Sequence, residues 1–155
     1  MTSIQRLILV AAAWMALISP WAWSGTLETN PAANRQDPDF IIGKEALERK
    51  NWALAVESFI KANKRLENAD LHSYLGYAYR HLNDIDRSFS HYRIALSIEP
   101  NHRGAHEYAG EAYLKVGKLD KALEHLAQLE QICGKTCDEY LDLYGVITKY
   151  QQTIK

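Results

Sequence analysis

The side chains best suited to chemistry are two cysteines, Cys133 and Cys137, the only ones in the chain, with Gly134, Lys135 and Thr136 between them. Two thiols at that spacing have three uses: a structural disulfide, a redox couple, or part of a metal site. In a continuous helix, residues four apart stand about 5–6 Å apart at Cβ, beyond the ~3.8 Å that a disulfide needs. A break at Gly134 removes that obstacle. The expectation is a disulfide pinning the last helix to what precedes it, worth about 2 kcal/mol at most because the closed loop is small. The spacing is not that of the thioredoxin-type motif and lacks the histidine of haem attachment. A metal needs more ligands, and only His125 is close in sequence.

The histidines are the next candidates. His102 and His106 are four apart and can share a helix face. No HExxH carboxylate accompanies them, and His102 lies at a helix entrance beside Asn101. His72 and His106 share a repeat position, which a packing role explains, while His81 and His91 read as exposed. There is no glycine-rich phosphate loop and no GxSxG elbow. No catalytic residue, resident metal or cofactor is expected, and the chain does not read as an enzyme.

The elements that must position these residues emerge from the rest of the sequence. The chain has 155 residues, 47% hydrophobic and 24% charged, which suits a folded domain and argues against a disordered one. A formal net charge of -1, with Lys and Arg scattered, excludes bulk electrostatic attraction to nucleic acid or anionic membrane. Residues 1–24 read as a secretory signal peptide. Arg6 is their only charge, Leu7 to Ile18 are apolar, Pro20 interrupts, and Ala22-Trp23-Ser24 offers small residues at the exit. Cleavage after Ser24 is the expectation, and an uncleaved anchor helix is the alternative. Export implies an oxidising compartment, a periplasmic or secreted location, and a bacterial envelope protein. Residues 25–38, rich in Thr, Asn, Pro, Ala and Asp, read as a flexible linker.

From residue 39 the chain repeats. Gly43, Gly76 and Gly110 are spaced by 33 and 34 residues. The same offsets relate Trp52, Ile85 and Leu119; Ala55, Ser88 and Ala122; Phe59, Tyr92 and Leu126; and Ala62, Ala95 and Leu129. A period of this length means stacked helical hairpins. Small residues allow close approach of paired helices, and large ones at helical spacing fill the seam. Turn residues sit between the helices at Lys50-Asn51, Asn83-Asp84 and Gly117-Lys118, and Pro100 ends the middle hairpin. The helix pairs read as 39–49 with 52–66, 70–82 with 85–98, and 103–116 with 119–131. A further amphipathic segment, residues 137–152, reads as a capping helix, with Thr136 and Glu139 in a capping-box pattern.

These residues resemble the tetratricopeptide repeat over about residues 36–136. In the middle repeat Leu75-Gly76, Tyr79, Ser88, Tyr92, Ala95 and Pro100 stand where the family has Leu-Gly, Tyr, Ala, Phe, Ala and Pro. No repeat has the family's early tryptophan; Asp39, His72 and His106 stand there. The resemblance implies an all-α solenoid of three hairpins, with repeats at about 36–68, 69–102 and 103–136, inside a domain spanning 39–155. It also implies that the first helix of each pair lines a concave face. The family register puts Phe40, Lys44, Ser73, Tyr77, Arg80, Glu107, Glu111 and Leu114 there, with Lys44 and Arg80 toward one end and Glu107 and Glu111 toward the other. Some family members clamp a C-terminal carboxylate with basic residues. At those positions this chain has Phe40, Lys44, Tyr74, Gly104 and Tyr108, and only Lys44 brings charge. That mode is not expected.

The function expected is a non-enzymatic interaction module, an adaptor or assembly factor holding a peptide or protein in its groove. The alternative is a redox or metal-handling protein using Cys133 and Cys137. Self-association through the ends of the stack or the linker is a third reading.

Overall fold

The computed structural model describes residues 36–153. The signal segment and linker residues 25–35 fall outside the described residues. Among those described, seven helices follow one another without strands: α1 Pro38–Glu48, α2 Trp52–Asn63, α3 Ala69–His81, α4 Ile85–Ile98, α5 Arg103–Lys115, α6 Leu119–Cys133 and α7 Asp138–Thr153.

Five of the seven helices start where a side chain satisfies a free amide. The carboxylate of Asp37 accepts the Phe40 amide, and Pro38 fills the first turn, where no amide donor is missed. The helix therefore begins inside the stretch expected as linker. Asn51, Asn68 and Asp84 accept from Leu54, Leu71 and Arg87. At α5 the acceptor is a ring nitrogen: His102 Nδ1 takes the Ala105 amide at 3.0 Å. Lys118 has no such group, and α6 starts without a side-chain cap.

The leading helices end alike. Lys50, Asn83 and Gly117 have φ of 56°, 64° and 75°, and the next amide reaches back to Ala46, Tyr79 and Tyr113 at 2.8–2.9 Å. This is the Schellman closure, repeated at the period of the sequence. α2 ends at Asn63 rather than near residue 66, because the amides of Arg65 and Leu66 both turn back to the Ala62 carbonyl and Asn68 then caps α3.

The hairpins close through the recurring small residues. A Cβ at Gly43 would stand 2.6 Å from the Phe59 ring, so only glycine permits this approach. At Gly110 the same tight contact, 2.6 Å, is with Leu143 of α7, not with α6. α7 packs against both α5 and α6, and Leu114, Leu126, Leu129, Tyr140, Leu143 and Ile147 form their shared core. The capping helix thus supplies the bulk that Leu126, shorter than Phe59 and Tyr92, leaves out.

The sulfurs of Cys133 and Cys137 lie at disulfide distance, 2.07 Å, where α6 stops at Gly134 and α7 begins. The capping box expected from Thr136 and Glu139 does not form. The Cys137 carbonyl accepts the Leu141 amide, which makes Cys137 the cap residue and moves the register by one. Glu139 turns instead to Arg103 of α5, at 3.4 Å.

Candidate functional site

The leading helices α3 and α5 pack side by side, α7 continues the row against α5, and α1 reaches α3 through Phe40 and Lys44, both on Tyr74. Aromatic side chains run along this wall. Phe40 meets Tyr74 edge-on at 5.9 Å, and Tyr77 meets Tyr108 at 4.7 Å. Trp52 from α2 stacks on His81 at 4.1 Å beside Tyr77.

The eight residues expected on the groove divide into three groups. Phe40, Ser73 and Leu114 are 7%, 1% and 6% exposed. Phe40 packs on Phe59 and Tyr74, and Leu114 enters the α5–α6–α7 core; neither side chain stands free for a ligand. Lys44, Tyr77 and Arg80 lie on the wall but are engaged within the fold. Lys44 Nζ donates to Tyr74 Oη at 2.9 Å and sits over its ring at 4.1 Å. Arg80 forms an ion pair with Glu111 across α3 and α5 and lies 5.1 Å from the Tyr77 ring. The expected separation of positive and negative ends therefore does not hold: Arg80 and Glu111 neutralise each other. Glu107 remains, with neither hydrogen bond nor ion pair among the described residues.

Glu107 lines a cavity of about 420 Å³ between α3, α5 and α7. Its walls include the Tyr74 and Tyr108 rings, buried Ser73, Gly104, and the carboxylates of Asp70, Glu99 and Glu139. Arg103, also at the wall, is paired with Glu139. His102 closes one side: its Nδ1 accepts the Ala105 amide, which leaves Nε2 to carry the ring proton toward Asp70 at 3.0 Å. Burial, and then the charges of Glu111, Asp142 and Glu139, push the Glu107 carboxyl up to about 8. Burial likewise raises the Tyr108 and Tyr77 phenols. The Ser73 hydroxyl is buried and has no hydrogen-bond partner, which costs about 1–3 kcal/mol.

Tyr74, Gly104 and Tyr108 were legible as ligand-contact positions only through the family register. Glu139 was not, because a capping helix was not expected to join the wall.

Four histidines are paired. His72 and His91 bring their Nδ1 atoms to 3.0 Å, and His106 and His125 to 2.9 Å. His91 is half-buried under this contact and stacked on Tyr79, not exposed. The signal was present: both partners recur after 34 residues. His102 and His106 take different partners: His102 bonds Asp70 and the Ala105 amide, and His106 Nε2 donates to the Pro100 carbonyl at 2.9 Å. The two sulfurs and Glu139 also come within 4.8 Å of each other, with the sulfurs at disulfide distance.

Known structures share this architecture. The chain superposes on the TPR2B domain of yeast Sti1, solved as a complex with pHsp70, with TM-score 0.65 and 21% identity over 74% of this chain and 94% of that one. The chain has the tetratricopeptide-repeat fold. The first TPR domain of Spaghetti (RPAP3), bound to the HSP90 peptide SRMEEVD, gives TM-score 0.63 and 16% identity over 75% and 92% of the two chains. The Arabidopsis OM64 TPR domain gives 0.63 and 16% over 81% and 99%. No protein-family model matches the sequence, and no curated protein matches it. Among the described residues no helix is long and apolar enough to cross a membrane.

Proposed function

We propose that this chain is a non-enzymatic binding module whose tetratricopeptide wall holds an extended segment of another protein, in the role of an adaptor or assembly factor of the bacterial envelope. The observation that carries the reading is the cavity between α3, α5 and α7, with two half-buried tyrosines at its wall. Aromatic anchors beside a recess are where binding energy concentrates. The neighbours solved with pHsp70 and with an HSP90 peptide support a peptide as the class of ligand. The signal-like residues 1–24 support a periplasmic or secreted site of action, and cysteines at disulfide distance suit an oxidising compartment.

Arg80 is a poor residue to test, because its removal strands Glu111. Tyr108→Ala is better. The variant should keep its helical circular dichroism and lose the partner recovered by the full chain from an envelope extract, with affinity down at least about tenfold, as for a hot-spot aromatic. Undiminished recovery by a folded Tyr108→Ala protein would remove the wall from consideration.

A further inference from the structure

We propose that the cavity between α3, α5 and α7 is a subsite for a basic side chain, lysine or arginine, of the bound peptide, with Glu107 as its counter-ion. This rests on the peptide-binding reading and adds the chemistry of the ligand.

The lining decides the charge. Asp70, Glu99, Glu107 and Glu139 contribute four carboxyl groups against the single guanidinium of Arg103, which is already paired with Glu139. The two basic residues nearest on the wall are occupied, Lys44 by Tyr74 and Arg80 by Glu111. Glu107 and Glu99 have no side-chain partner of either kind among the described residues, and of the two only Glu107 has its carboxyl raised by burial. An anionic ligand such as a peptide carboxylate would enter a recess that, among the described residues, has several acids and a single guanidinium already paired.

The shape and the remaining polar atoms agree. A volume of about 420 Å³ accommodates a long side chain. The Tyr74 and Tyr108 rings at the wall give its methylenes apolar cover, and Tyr108 gives its charged head an aromatic face, an arrangement that favours cations; the face of Tyr74 is already taken by Lys44. Ser73, 1% exposed, faces this space with a hydroxyl that nothing in the protein satisfies. An ammonium or guanidinium hydrogen supplies the donor that such an oxygen lacks.

Binding should therefore expel a proton. Before the ligand enters, crowding by burial and by neighbouring acids keeps Glu107 largely protonated at neutral pH; a cation beside it favours the carboxylate. Affinity should rise as the solution becomes more alkaline, by about eightfold between pH 7 and pH 8.5 for a group titrating near 8.

A displayed library of random heptapeptides, selected against the full chain, tests both layers. Recovered peptides are resynthesised with blocked and with free amino ends and titrated against the full chain, Glu107→Gln and Tyr108→Ala. Enrichment of Lys or Arg at one position, weakening of about tenfold or more in Glu107→Gln, and loss of the alkaline gain in that variant bear the proposal out. Glu107→Gln removes a crowded acid and keeps the shape, so it should fold as the parent does, and thermal melting checks this. Peptides that need Tyr108 but carry no basic residue, or that bind Glu107→Gln as tightly as the parent, overturn the subsite and leave the peptide-binding reading standing. Peptides indifferent to Tyr108→Ala, or no peptides at all, overturn that reading as well. If only free amino ends bind, the cation is a chain terminus, and the side-chain subsite falls.

Discussion

The twin histidine contacts make the protein sensitive to acid through single residues. His91 and His125 are held near 4 by burial and by the neighbouring ring, and burial lowers His72 and His106 as well. One neutral ring can donate to the other, but two protonated rings would face each other as like charges. Because the folded values lie below the unfolded value near 6.5, the stabilisation is complete above about pH 6.5 and is lost as the pH falls toward 4. Melting temperature should drop between pH 6.5 and 5, before most carboxylates titrate. His91→Gln with His125→Gln should flatten that part of the curve. A parent whose melting temperature is constant over this range would contradict the assignment. Single residues were the least legible part of the sequence. A helical register tells which face a residue occupies, but not which residue of another helix will meet it. Lys44, Arg80 and Glu111 were correctly placed on leading helices, yet their charges are spent on one another and on Tyr74.

Among the elements, the start of α6 stands apart. Asn51 and Asp84 occupy the cap position in the first two hairpins and accept amides from Leu54 and Arg87. Lys118, at the same position in the third, cannot. Lys118→Asp should therefore stabilise the chain by about 1 kcal/mol, since it adds an acceptor and puts negative charge at the positive end of the helix. Chemical denaturation of parent and variant measures this, and a shift in the opposite direction would contradict it. The junction between α6 and α7 gives a second prediction. If Cys133 and Cys137 are linked, replacing both with serine forfeits about 2 kcal/mol at most, given the short loop. That lowers the melting temperature by about 8 °C or less. A much larger fall would mean that the bond does more than hold α7 in place. Helix positions were well specified by periodicity and by turn residues. The exceptions were the ends, where the Ala62 carbonyl and the Cys137 cap settled boundaries through backbone contacts that no period reveals.

For the molecule as a whole, the recurrence of glycine, small and aromatic residues at 33 and 34 positions was enough to give the stacked hairpins. Gly43 and Gly76 make the same contact in the first two units, with Phe59 and Tyr92, and Gly110 departs from it only where α7 replaces the ring, so one pattern carries the information for the stacking. What the period leaves undetermined lies where the repetition stops. The cavity is built from two repeats and α7, and α7 is not a repeat, so the recess and its acidity had no counterpart in the pattern.

The seating of Leu143 against Gly110 has a consequence for how such a protein can grow. α7 stands where a fourth hairpin would dock and fills the socket such a hairpin would need, so the array is closed at that end. Lengthening by duplication is accommodated only upstream. An extra copy of residues 69–102 spliced in after 102 keeps the original's downstream neighbour, residues 103–133, and meets the original itself upstream, whereas one appended after 133 must first evict α7 and, with it, one wall of the recess.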